Sequence, residues 1–231
     1  MDNEVFPTGR RDYRARLLGA RLYVLITKSF CRGGDPLAAC REAVDAGADM
    51  VQFREKTMED GEFYRLAEKM QELCGDKALF VINDRVHIAQ LLHSPMLHTG
   101  QGDLPIHLSR KLLSPDQTIG ISTANPEDAA RAFAQNADCI GIGPVYPTGT
   151  KALDYTVGLD YVRWTVAHSP IPYFCIGGIN RETIGEILET GARGFAICSA
   201  IIGAPDVAEA TAWFRRRIDA YPLRELATRE K

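Results

Sequence analysis

Gln52-Phe53-Arg54-Glu55-Lys56 closes the short run Asp49-Met50-Val51 and so falls at the end of a predicted β-strand. Alternate side chains on a strand share a face, which puts Gln52, Arg54 and Lys56 together and turns Phe53 and Glu55 the other way. Unpaired buried charge is costly, so two fixed cations beside an amide are a poor end for a core strand. They are a good way to hold a polyanion such as a diphosphate. Taken alone, long basic side chains reaching solvent from the strand end explain the segment equally well.

Further chemistry-bearing residues lie beyond this segment. Asn83-Asp84 and Gly100-Gln101-Gly102-Asp103 each follow a predicted strand. Two converging carboxylates, completed by diphosphate oxygens and water, form an octahedral Mg²⁺ site; an acid/base dyad is the alternative. Separately, Asp84 reads as a helix cap and Asp103 as a turn residue. Opposite Arg54 and Lys56, the pair reads better as a metal–diphosphate clamp. Thr148-Gly149-Thr150-Lys151 adds two hydroxyls and a third cation, in a Gly- and Pro-rich loop long enough to act as a lid or clamp. Gly177-Gly178 allows close backbone approach, and Ser199-Ala200 opens a short helix whose free N–H groups suit an anion. Either loop alone is an ordinary turn; in consecutive units they read as a monophosphate site.

The elements that must position these residues alternate along the chain. Predicted strands cover Leu22–Thr27, Met50–Phe53, Leu79–Ile82, Met96–His98, Thr118–Ser122, Cys139–Ile142, Tyr173–Ile176 and Gly194–Ile197. Helices are predicted from Asp35-Pro36, with Asp as cap and Pro at the first position, and from about Glu59 to Leu73, where Phe63, Leu66, Ala67 and Met70 repeat at helical spacing. Others span Val86–Leu92, Ile106–Leu112, a segment opened by Asn125-Pro126, one ending near His168, about Asn180 to Glu189, and about Pro205 to Ile218. Eight strand–helix units without an interdomain linker point to an α/β fold, a single (β/α)8 TIM barrel; the alternative, a doubly wound open sheet, would need fewer strands or a second domain. Asp12 caps a short N-terminal helical extension. The expected division is an extension over 1–21, a catalytic barrel over 22–220 and a tail over 221–231. In such a barrel the strand C-termini carry the active site and the last two loops the phosphate site.

Composition narrows the partners. The 231 residues are 45% hydrophobic and 25% charged with a net charge of −3, ordinary for a soluble globular protein and without a global field for nucleic acid. No apolar run approaches the ~20 residues of a membrane span. The six cysteines form neither C-x-x-C pairs nor zinc spacings. Together with residues 1–20, which match neither a signal nor a transit peptide, they suggest a reducing, cytoplasmic setting. His87 and His93 read as surface residues, His98 as a hydrogen-bonded core residue, and none of the five histidines as a catalyst. Arg215-Arg216-Arg217 reads as a solvated helix face.

With these residues in view, the chain resembles the thiamine-phosphate synthase family from about Leu22 to Ala210. The marks are Leu22-Tyr23…Ile26-Thr27, Gln52-Phe53-Arg54-Glu55-Lys56, Ile82-Asn83-Asp84-Arg85, Leu97-His98-Thr99-Gly100-Gln101-Gly102-Asp103, Gly120-Ile121-Ser122-Thr123, the run Gly141 to Lys151, Gly177-Gly178-Ile179 and Ser199-Ala200-Ile201. The resemblance implies a Mg²⁺-dependent transferase joining hydroxymethylpyrimidine diphosphate to a thiazole phosphate (carboxylate), giving thiamine phosphate and diphosphate. It assigns Gln52, Arg54, Lys56, Asn83, Ser122 and Lys151 to the pyrimidine diphosphate, with Arg54, Lys56, Ser122 and Lys151 as the catalytic set. Asp84 and Asp103 hold Mg²⁺, and Thr148, Thr150, Gly178 and Ser199 serve the thiazole phosphate. The expected partners are these small molecules, not nucleic acid or membrane, with a homo-oligomer left open. One departure is Ala124, where the family usually has histidine. The alternatives are a thiazole tautomerase-like isomerase and a non-catalytic phospholigand-binding barrel.

Overall fold

The structure, a computed structural model, describes residues 12–149 and 155–228. Its strands are β1 Leu22–Ile26, β2 Met50–Phe53, β3 Leu79–Asn83, β4 Met96–Thr99, β5 Thr118–Thr123, β6 Cys139–Ile142, β7 Tyr173–Ile176 and β8 Phe195–Ile197. The helices are α1 Tyr13–Gly19, α2 Pro36–Asp45, α3 Asp60–Cys74, α4 Val86–Leu91, α5 Ile106–Leu112, α6 Pro126–Ala134, α7 Gly158–His168, α8 Ile184–Glu189, α9 Ser199–Ile202 and α10 Val207–Asp219. Each strand pairs in parallel with the next, and β1 pairs with β8, so the sheet closes into the expected (β/α)8 barrel.

Local chemistry explains where several helices start. Asp35 Oδ1 accepts the Leu37 and Ala38 N–H groups at 2.9 and 3.1 Å, ahead of Pro36. Asn125 Oδ1 accepts from Asp128 N at 2.8 Å, and Asp12 Oδ1 from Ala15 N at 3.0 Å. These caps satisfy N–H groups that have no partner inside the helix. The helix expected from Asn180 begins only at Ile184, because the Asn180 side chain first closes a turn by accepting from Glu182 N and Thr183 N at 2.8 and 3.0 Å.

Strand alternation divides the apolar residues into two cores. Outward residues such as Val24, Phe53, Ile82 and Ile140 pack under the helices. Inward residues fill the barrel: Tyr23, Leu25, Met50, Leu79, Val81, Met96, Cys139, Phe174 and Ala196. Tyr13, Leu17 and Ala20 join this inner cluster from α1 and its end, so the helix floors the barrel at the N-terminal ends of the strands. Arg215 departs from the solvated face expected for the arginine run. It is largely buried and binds Asp49 Oδ2 at 2.7 Å, the same oxygen that accepts the Arg21 and Leu22 N–H groups at 2.8 Å. Long-range pairing with the β2 approach, invisible from helical spacing, draws it in. All six cysteines are free. Among the described residues no helix is long and apolar enough to cross a membrane.

Candidate active site

β2 delivers the first group of side chains. Gln52 points into the barrel, 2% exposed, and its Nε2 donates to the Tyr23 hydroxyl on β1. Phe53 turns outward against Phe63, with ring centroids 4.5 Å apart. Beyond the strand, Arg54 N still donates to Ile26 O at 2.9 Å, and Thr27 Oγ1 donates to Arg54 O at 3.0 Å. The chain then leaves the ladder, and Lys56 Nζ reaches the carboxylate of Asp84.

Asp84 sits in a tight turn after β3 with φ of 60°, a conformation that Asp tolerates better than most residues. Its N–H donates to His98 O at 2.8 Å, which ties the turn to β4. Asn83 Nδ2 donates to Asp84 Oδ2 at 2.6 Å. After β4, Asp103 Oδ2 accepts the Gly100 N–H at 2.7 Å, folding its loop back toward the barrel. Burial pushes the Asp84 carboxyl above its ordinary range; Lys56 pulls it down and Asp103 pushes it up again. A carboxylate crowded by a second one suits a divalent cation, which relieves the repulsion. Among the described residues no group of three or more His, Cys, Asp or Glu side chains is placed to hold a metal. Two protein carboxylates fit Mg²⁺, which is commonly held by one or two such groups together with substrate phosphates and water.

The floor of the site is built by β4, β5 and β6. His98 is inside the barrel, as expected of a hydrogen-bonded core residue, with Nε2 3.0 Å from Ser122 Oγ. It fits because Gly120 and Gly141 face it: a Cβ on Gly120 would come within 2.8 Å of His98 Nδ1 and 2.4 Å of Met96 Cε. Gln101 Nε2 donates to Ser122 O at 2.7 Å, linking the β4 loop to β5. Ala124 also lines the cavity, and its N–H donates to the buried Asp128 at 3.0 Å.

The loops after β6 and β7 close the opposite side. Val145 N and Tyr146 N donate to Ile176 O and Gly177 O at 2.9 and 3.1 Å. Gly178 has φ of +64°, and a Cβ there would lie 2.6 Å from Tyr146 Cβ and 2.7 Å from Pro147 O. Only glycine meets both conditions. Ser199 opens α9, whose first internal bond is donated by Ile201 N to Cys198 O at 2.9 Å.

These walls enclose one cavity of about 690 Å³ at the C-terminal ends of the strands. Gln52, Arg54, Lys56, Asn83, Asp84, Asp103, Ser122, Thr148, Gly178 and Ser199 all line it. Thr150 and Lys151 lie outside the described residues. Sequence reasoning missed Tyr23, which orients Gln52. Its inward place on β1, two residues ahead of Leu25, was the available signal, but apolar strand neighbours made it read as core.

A family model described as thiamine monophosphate synthase matches residues 22–201. The thiamine-phosphate synthase of Synechocystis sp. is 46% identical over 177 residues, 76% of this chain and 52% of that protein. Its counterpart in Acidothermus cellulolyticus is 41% identical over 210 residues, 90% of this chain and 99% of that protein. The solved thiamine phosphate pyrophosphorylase from Pyrococcus furiosus superposes with a TM-score of 0.80 at 32% identity, covering 90% of this chain and 98% of the other. The chain thus spans about half the length of the Synechocystis protein and nearly all of the Acidothermus one.

Proposed function

The chain belongs to the thiamine monophosphate synthase family, and from that premise we propose that it condenses hydroxymethylpyrimidine diphosphate with a thiazole phosphate (carboxylate). The products are thiamine phosphate and diphosphate, with carbon dioxide when the thiazole is carboxylated. The observation that carries this reading is the gathering of Arg54, Lys56, Asp84 and Asp103 on one rim of a cavity whose other rim holds Gly178 and Ser199. One side suits a diphosphate and the other a monophosphate.

In this reading Gln52, Arg54, Lys56, Asn83, Ser122 and Lys151 hold the pyrimidine diphosphate, and Thr148, Thr150, Gly178 and Ser199 the thiazole phosphate. Asp84 and Asp103 hold Mg²⁺, which when bound supplies positive charge against the departing diphosphate. Loss of diphosphate breaks the bond from the pyrimidine methylene carbon to oxygen, and the electron pair leaves with oxygen. Arg54, Lys56 and Lys151 stabilise that growing negative charge. The thiazole ring nitrogen then supplies its lone pair to the methylene carbon. It carries no proton to remove, so no general base is required, in keeping with a site whose histidine is engaged by Ser122.

A tautomerase would have no use for the cation and carboxylate rim. A binding barrel for the thiazole half alone would likewise leave the rim without a role. Incubating purified protein with both substrates and Mg²⁺ decides among the three. Thiamine phosphate is expected, and chelation is expected to stop its formation. Isomerised thiazole alone, or binding with no product, would reject the proposal.

A further inference from the structure

Arg85 is outside the cavity lining, yet it follows Asp84 directly in the chain. Its guanidinium turns back toward the connection between β2 and α3. Nη2 donates to Met58 O at 2.6 Å and Glu55 O at 3.1 Å. Nη1 donates to Asp60 Oδ1 at 2.5 Å, at the first residue of α3. The guanidinium carbon lies 4.3 Å from the centroid of the Phe63 ring, and the side chain is 14% exposed. Every one of these partners belongs to residues 55–63, the stretch that contains Lys56 and follows Arg54. The backbone of Arg85 is fixed as well, its N–H donating to Asn83 O at 2.7 Å within the Asp84 turn.

One side chain therefore bridges the segment that carries the cations and the segment that carries the first carboxylate. We propose that Arg85 is a positioning residue that sets the separation between Lys56 and Asp84, and so the width of the diphosphate clamp. The inference rests on the diphosphate reading of that rim. The chemistry calls for arginine: a planar fork reaches two carbonyls and a carboxylate at once while its face stacks on Phe63. A lysine ammonium keeps the charge but cannot span these acceptors. A loop without the bridge would let Lys56 drift, and displacement by about 1 Å is enough to weaken a preorganised electrostatic site severely.

The test is binding of magnesium pyrophosphate by titration calorimetry, with thiazole phosphate as the control ligand. Wild-type binding of magnesium pyrophosphate tests the clamp itself; its absence would sink both the clamp and this inference. Given that binding, Arg85→Lys and Arg85→Gln are expected to weaken it by about tenfold or more, and thiazole phosphate by less than about twofold. In a Lys56→Met background the effect of Arg85→Lys is expected to shrink to about twofold or less, because the two residues act through one contact. Equal losses for both ligands, or an undiminished effect without Lys56, would mark Arg85 as general structural support and overturn the inference. If the Arg85 variants do not fold, Asp60→Ala decides, since it removes an exposed partner of the same guanidinium. Weakening of magnesium pyrophosphate alone supports the inference, and unchanged binding overturns it. Product formation by the wild type is scored separately, so a clamp that holds pyrophosphate without synthesis would reject the activity and leave the role of Arg85 standing.

Discussion

Asp84 is held in conditions that disfavour its charge. It is partly buried, it faces Asp103, and its backbone occupies the left-handed region. Sites of this kind trade stability for readiness to bind. Asp84→Asn keeps the shape and tolerates the same backbone, so the metal-free variant is expected to melt no lower than the parent. A clear drop in its melting temperature would contradict that account. In the proposed reaction the charge matters, however. Asp103→Ala and Lys151→Ala are each expected to reduce turnover by about a hundredfold or more, the scale typical of fixed groups facing developing charge. Steady-state synthesis near the parent rate in both variants would reject the assignment of these residues to the diphosphate side.

At the scale of elements, the connections between strands and helices carry the function. The β6 and β7 loops are locked together through Val145 N, Tyr146 N and the bare backbone of Gly178. Gly178→Ala forces a Cβ into Tyr146 and Pro147 at a backbone angle that L residues rarely adopt. The variant is expected to raise the KM for the thiazole phosphate by about tenfold while leaving magnesium pyrophosphate binding nearly unchanged. Kinetics with each substrate varied in turn would show this split. A uniform loss for both would mean that the loop supports the whole cavity rather than one end. The β2 and β3 connections form the opposing pair, fastened by Arg85 rather than by a glycine contact.

For the whole molecule, the site and its support lie at opposite ends of one barrel. The cavity occupies the C-terminal ends of the strands, and α1 closes the N-terminal end with Tyr13 and Leu17. Leu17 is 1% exposed, so Leu17→Ala leaves a cavity beneath the inner core and is expected to cost about 2–4 kcal/mol of unfolding free energy. Urea denaturation measures this directly. Turnover per folded molecule is expected to stay within about twofold of the parent, because a barrel separates stability at its base from chemistry at its rim. Lost turnover in a fully folded Leu17→Ala protein would show that the two ends are coupled.

Some of this was decided within short stretches of chain. The caps at Asp12, Asp35 and Asn125 act over three residues, and strand alternation acts over two, so helix starts and the inward turn of Gln52 were legible in the sequence. The strand-end positions of Arg54, Asp84, Asp103, Ser122, Thr148, Gly178 and Ser199 followed from the same local periodicities, and their order matched a known family. Other features joined residues far apart in the chain. The meeting of Lys56 with Asp84, the seat of His98 between Gly120 and Gly141, the recruitment of Arg215 by Asp49, and the reach of Arg85 across to Met58 and Phe63 exist only after β1 has closed onto β8. Local spacing carries no information about which distant atom a long side chain will find. Barrel closure and register fix those distances, so the tertiary structure alone turned a series of polar strand ends into one cavity with two dissimilar rims.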